Sequence, residues 1–356
     1  MTDEMLVFIS AFATGDDGAI HAFRLKSDAP VLEPLCRTTD VENPFFLAQS
    51  PDGKTLYSIH EPGTFGDADP GQVAAYEILG RDGEVHLLNR QSTGGSGCCS
   101  LDVEPSGRAV LVANYSSGSV AALPVRPDGS LGESAGPALH EGSSINPVRQ
   151  TGPRAHCFAP SPDGRFAFAA DLGIDKVMNY RLDAETAALK PNRQAFARTL
   201  AGAGPRHITF HPNGQTLYVI NELHNSVTAF DYEPETGTVF ELQTLSTLPE
   251  EFNDTSHCAD VKVTPDGKFL YGTNRGHDSI AAYAVGKNGR LTLIAIEPCL
   301  GEGPQNLAIT PDGRLLLCAN MPGNNIVVFR IDPETGRLTP AAEPVTMPMP
   351  SCIRIL

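Results

Sequence analysis

Six stretches of the chain repeat one arrangement of apolar and polar positions. SPDGKTLYSIHE begins at Ser50, EPSGRAVLVANY at Glu104 and SPDGRFAFAADL at Ser161. HPNGQTLYVINE begins at His211, TPDGKFLYGTNR at Thr264 and TPDGRLLLCANM at Thr310. An apolar run precedes each turn and a second follows it. A third run, such as VTAFDY or IVVFRI, comes next, then a turn such as PETG and a weaker fourth run. Proline presets φ at the second position of such a turn, Asp or Asn caps it, and Gly takes the positive-φ position. The runs are rich in Val, Leu, Phe and Tyr and read as strands. The turn prolines are residues 51, 105, 162, 212, 265 and 311, a period of 46 to 57 residues. Four strands at that period predict a propeller blade. No helical periodicity of useful length competes with it.

Six such units are complete, and both ends of the chain hold unpaired pieces. MLVFISAF and GAIHAFRL near the start read as the second and third strands of a blade. PSCIRIL at the end reads as a first strand, comparable to PQNLAIT in the preceding unit. Joined, they predict a seventh blade closed from both termini, which removes the open sheet edge that invites aggregation. The expected fold is therefore all-β: a seven-bladed β-propeller of four-stranded antiparallel blades, one domain over 1–356.

Composition narrows the setting. The chain has 34 Gly, 29 Pro and no Trp. No segment approaches the ~18 apolar residues of a membrane helix. The start, MTDEMLVFIS, lacks a basic region and a small-residue cleavage site, so a cytoplasmic location is expected. Cys36, Cys98, Cys99, Cys157, Cys258, Cys299, Cys318 and Cys352 are scattered without a CxxC pair and read as reduced, buried thiols. The net charge of −16 argues against nucleic-acid or anionic-membrane partners. It also makes the placement of only 26 Lys and Arg informative, since an anionic substrate needs a local positive cluster. No metal or cofactor motif is present: there is no P-loop, HExxH, GxSxG or strand-borne GxGxxG.

Aligning the units on the turn proline concentrates the chemistry. Nine places after it stand His60, Asn114, Asp171, Asn221, Asn274 and Asn320, and the next position holds Glu222 and Arg275 in the fourth and fifth units. Six places before it stand Phe45, Cys99, His156, Arg206, Ala259 and Gln305; five before, Phe46, Ser100, Cys157, His207, Asp260 and Asn306. First and second strands are antiparallel neighbours, so the start of one lies beside the end of the other. Arg206, His207 and Glu222 are thus expected at one mouth of the central channel, with Arg154 and His156 from the blade before and Asn274 and Arg275 from the blade after. Guanidinium forks bind carboxylate or phosphate in paired hydrogen bonds. A glutamate and a histidine nearby supply a general acid or base. Arg154, His207, Asp171, Asn221, Asn274 and His257 are candidate substrate contacts. The alternative is that the Asn and Asp row only caps loops, and that Arg206 and Glu222 are structural partners.

PRAHCFAPSPDGRFAFAADLG, GPRHITFHPNGQTLYVINEL and DGKFLYGTNRGHDSIAAY resemble the seven-bladed lactonase family, and the likeness runs through essentially the whole chain. That family includes bacterial 6-phosphogluconolactonase of the propeller type and fungal carboxy-cis,cis-muconate cyclase. The resemblance implies an enzyme that hydrolyses a sugar lactone, 6-phosphogluconolactone foremost, with no metal or cofactor. By motif it places the catalytic set on His156 in PRAH, Arg206 in GPRH, Glu222 in NEL and Arg275 in NRGH. Arg206 or Arg275 would stabilise the oxyanion and the other arginines hold the phosphate, with Glu222 or His156 as base. The chain departs from the family at GPQNLAI and GCCSLDV, blades that bring less positive charge here. Two other readings share the scaffold: a muconate-type lactonising cyclase, and a propeller that binds partners without turnover.

Overall fold

The repeated turns build what their chemistry predicts. In the computed structural model, which describes residues 4–62 and 70–356, Ser161 Oγ meets Asp163 at 2.6 Å and accepts the Phe166 amide at 3.0 Å. Thr264 does the same with Asp266 (2.7 Å) and Phe269 (3.1 Å). The first two strands of those two blades are thereby pinned at one end. In the fourth blade the strands run Pro205–Phe210, Thr216–Asn221, Ser226–Glu233 and Thr238–Ser246, each antiparallel to the last.

Seven sheets of this kind are present, in agreement with the predicted fold. Their innermost strands are Leu47–Gln49, Cys98–Val103, Ala155–Pro160, Pro205–Phe210, His257–Val263, Pro304–Ile309 and Pro350–Ile355. Each touches the next around a closed ring. The seventh blade is shared by the two ends of the chain: Pro350–Ile355 pairs with Glu4–Ala11, which continues to Ala19–Lys26 and Leu32–Thr38. The sixth blade carries one extra short strand, Val345–Thr346, beside Asn325–Ile331.

Between blades the core is apolar, with a few buried hydroxyls used as stitches. Tyr218 donates to the Gly289 carbonyl (2.9 Å) and Tyr271 to the Gly336 carbonyl (2.8 Å), each bond crossing to the next blade. These carbonyls belong to tight turns in which Gly289 (φ 75°) and Gly336 (φ 71°) adopt the left-handed region that glycine enters freely. All eight cysteines are free thiols, seven of them buried.

One irregularity recurs and matters for the site. In five of the innermost strands the pairing with the second strand slips near its first residues. The extra residue is His156 between Ala155 and Cys157, Arg206 between Pro205 and His207, Cys99 between Cys98 and Ser100, and Gln305 between Pro304 and Asn306. A bulge bends the strand and re-aims the side chain it carries.

Candidate active site at the channel mouth

The bulges of the third and fourth blades turn His156 and Arg206 toward the channel, where both are buried at 6% and 1% exposure. Glu222 follows the second strand of the fourth blade, its amide held by the Gly204 carbonyl at 2.7 Å. Its carboxylate is the centre of the site. Oε2 accepts Arg206 Nε at 2.9 Å and lies 2.9 Å from Arg275 Nη2. Oε1 accepts Arg149 Nη2 at 2.6 Å. Three guanidiniums from three parts of the chain thus meet one carboxylate. Burial alone would raise the Glu222 carboxyl, but Arg275 and Arg206 outweigh it and hold it well below the usual carboxylate range. It is ionised at any working pH.

Beneath this cluster the polar groups continue inward. Arg206 Nη1 donates to the Ala259 carbonyl at 2.6 Å and stands 3.1 Å from His207 Nε2. His207 Nδ1 lies 2.8 Å from Asp260 Oδ1. A guanidinium has only donors, so Nε2 is the acceptor and the His207 proton sits on Nδ1, facing Asp260. Burial, then Arg206, pushes His207 down to about 4. Burial and the neighbouring Arg275 likewise draw Arg206 down to about 10, still cationic at neutral pH. Asp260 is fully buried and takes Lys262 Nζ (2.8 Å), Asn306 Nδ2 (2.7 Å) and the amides of Val261 and Leu307 (both 2.9 Å). Those partners outweigh burial and keep it ionised.

His156 packs between two rings, Tyr115 at 5.3 Å and His207 at 5.5 Å. Its Nδ1 is buried without a hydrogen-bond partner. Burial, then the nearby Arg206 charge, holds it well below the ordinary histidine value, so the ring is neutral. A shallow pocket of about 310 Å³ opens above, lined by Arg149, Glu222, His257 and Arg275. Larger hollows lie elsewhere, such as one of about 530 Å³ beside Pro51, Gly107 and Gly129, but that one is away from the cluster around Glu222. Among the described residues no group of three or more His, Cys, Asp or Glu is placed to hold a metal.

The expected residues separate into two groups. Arg206, Glu222 and Arg275 meet, His156 stands one ring away from them, and His257 lines the pocket. His207 belongs to the layer below, 3% exposed and bound to Asp260 and Arg206 rather than open to a ligand. Arg154 is displaced from the cluster: its guanidinium lies over the Tyr115 ring at 5.5 Å and donates to the Ser116 carbonyl. The polar row after the second strands proves to be loop caps. Asn221 donates to Ser226 and Thr228, and Asn274 to Ser279 and the Thr247 carbonyl. Asp171 accepts the Gly173 amide of its own loop and the Arg154 amide before the first strand, and binds His140 at 2.6 Å. All three are fully buried, so their expected role as substrate contacts gives way to the capping alternative.

The repeat alignment missed Arg149, which lies in the connection between the second and third blades. Tight local bonds fix that loop. Asn146 Oδ1 accepts the amides of Val148 and Arg149 (both 3.0 Å), while buried Gln150 binds Asp175 (2.7 Å) and the Leu172 carbonyl (2.8 Å). Asn-Pro followed by a basic residue in SSINPVRQ was the available signal: a turn presenting a cation.

The family model described as lactonase, seven-bladed β-propeller, matches residues 6–355. The chain is 36% identical over 351 residues to the 6-phosphogluconolactonase of Bacillus subtilis (strain 168), spanning 98% of this chain and 97% of that one. It is 34% identical over 337 residues to the 6-phosphogluconolactonase of Formosa agariphila, spanning 93% and 94%. Among solved structures, the periplasmic gluconolactonase of Pseudomonas aeruginosa superposes with a TM-score of 0.92 at 31% identity, over 99% of both chains.

Proposed function

The chain belongs to the seven-bladed β-propeller lactonase family, and from that premise we propose that it hydrolyses 6-phosphogluconolactone to 6-phosphogluconate at this mouth. The observation that carries the reading is the convergence of Arg149, Arg206 and Arg275 on Glu222 beside a neutral histidine, in a protein that is otherwise strongly acidic. That is an anion site with a proton acceptor at its edge.

The roles follow from exposure and protonation. Water adds to the lactone carbonyl, and the carbonyl oxygen becomes an oxyanion. Arg275, 26% exposed on the pocket wall, is the guanidinium that meets it. Arg206 is enclosed beneath Glu222 and acts as a positioning residue. Glu222 has both carboxylate oxygens engaged by guanidiniums, so it does not serve as base. Its part is to align the guanidiniums. His156 is neutral and has a buried nitrogen free of protein partners. It takes one proton from water and returns it to the ring oxygen as the carbon–oxygen bond breaks, leaving the open-chain carboxylic acid, which ionises to the carboxylate by releasing its remaining proton to solvent.

The test follows disappearance of 6-phosphogluconolactone above its uncatalysed rate, alongside glucono-δ-lactone and a carboxymuconate. Turnover of a sugar lactone is expected. His156→Gln should lower kcat by about 10²–10⁴-fold, and Arg275→Ala by about 10²–10³-fold. Unchanged rates in both variants, or turnover of the carboxymuconate alone, overturn the proposal.

A further inference from the structure

We propose that Arg149 is the specificity-determining residue of this site, the guanidinium that holds a phosphate monoester remote from the reacting carbonyl. The inference rests on the lactonase reading and names the group that selects phosphorylated over unphosphorylated substrate.

The three cations of the cluster are not equally available. Arg206 is 1% exposed, and its bonds to Glu222 and the Ala259 carbonyl fix it. Arg275 is bonded at every nitrogen, Nε to the His257 carbonyl, Nη1 to Gln305 Oε1, and Nη2 to the Cys258 carbonyl and Glu222, which leaves a single Nη1 hydrogen for the oxyanion. Its position is set for one task at the pocket wall. Arg149 spends Nη2 alone, on Glu222 and, at 3.4 Å, on the Tyr115 hydroxyl. Among the described residues, its Nε and Nη1 face no protein acceptor, and 35% of the side chain is exposed. It lines the same pocket as Glu222, His257 and Arg275. It therefore has donors to give and a place to give them.

Charge points the same way. Three guanidiniums against one carboxylate leave two positive charges in excess, since His156 and His207 are neutral. A phosphate monoester carries about −1.5 to −2 near neutral pH, which matches that excess. An unphosphorylated lactone brings nothing to balance it. Arg149 is also preorganised. Asn146 accepts the Val148 and Arg149 amides, and the Asp175 carboxylate anchors Gln150 and Ser144 (2.7 and 2.5 Å). A fork held ready loses little freedom on binding.

The experiment compares kcat/KM for 6-phosphogluconolactone and glucono-δ-lactone in the wild type, Arg149→Ala and Arg149→Lys. Calorimetric binding of the products 6-phosphogluconate and gluconate is measured in parallel. The wild type is expected to prefer the phosphorylated member of each pair. Arg149→Ala should reduce that preference by about 10–100-fold, the loss expected for charge-assisted hydrogen bonds. Arg149→Lys, which keeps the charge without the fork, should fall between. Equal losses on both lactones, or an unaltered preference, overturn the assignment and leave lactone hydrolysis standing. A wild type that hydrolyses neither lactone defeats the functional reading instead. The calorimetric preference for 6-phosphogluconate, and its loss in Arg149→Ala, then decides the role of Arg149 alone.

Discussion

His207 shows what a single residue contributes when it is enclosed by charge. It is neutral in the folded chain because burial disfavours the charged ring and because protonation would put a cation against Arg206. In the unfolded chain it titrates near its ordinary value of 6.5. Above that value both states are neutral and the stabilising difference is fully present. As pH falls from 6.5 toward about 4 the unfolded state takes up a proton that the folded state refuses, so stability falls. The slope is at most one proton from this residue. In His207→Gln that proton is gone, and the unfolding free energy from urea titration should fall less steeply between pH 6.5 and 4. The variant itself is less stable at pH 7, because Asp260 and Arg206 each lose a partner. An unaltered slope would show that His207 is protonated in the folded protein, contrary to the acceptor role of its Nε2.

At the level of strands and loops, legibility depended on whether a residue obeyed the repeat. The turn prolines gave the register of first and second strands closely enough to bring Arg206, Glu222 and Arg275 together on paper. The observed partners Pro205↔Asn221 and His257↔Arg275 agree with that register. The bulges carrying His156 and Arg206 were not legible, since an extra residue leaves no mark in composition, yet they aim those side chains. The Asn row looked chemical because it was polar beside a channel. Asn221 and Asn274 instead bind the Ser five residues on, a local need that any such loop has. Arg149 escaped because its loop belongs to no repeat and its reach to Glu222 is a tertiary fact. That loop is itself testable. Asn146→Ala removes the acceptor of two amides near the loop tip. The expected result is a several-fold rise in KM for the phosphorylated lactone, a smaller change in kcat and little shift in thermal midpoint. A fall in kcat with KM unmoved would mean that the loop acts on the reacting end of the substrate.

Across the whole molecule, ring closure and the site are parts of one polar chain. The closing strand Pro350–Ile355 enters between the first and sixth blades, where Ser351 binds Ser10 at 2.9 Å and Gln49 reaches the Ile355 carbonyl. The Ile353 amide donates to Asn306 Oδ1 at 2.8 Å, and Asn306 Nδ2 donates to Asp260 at 2.7 Å. Asp260 sets the His207 proton, and His207 and Glu222 both hold Arg206. Two kinds of damage are therefore distinguishable. Deleting residues 350–356 uncovers the Glu4–Ala11 edge with buried Val7 and Ile9, which should make the protein aggregate. A peptide of those residues, supplied during refolding, should restore monodisperse protein if edge exposure is the cause. Asn306→Ala keeps the ring closed but leaves the buried Ile353 amide without its acceptor and Asp260 with one partner fewer. Each unpaired buried group costs about 1–3 kcal/mol, so a loss of that order in unfolding free energy is expected, together with reduced turnover in soluble, folded protein. Full activity in Asn306→Ala would show that the channel-mouth cluster holds its geometry without support from the closing blade.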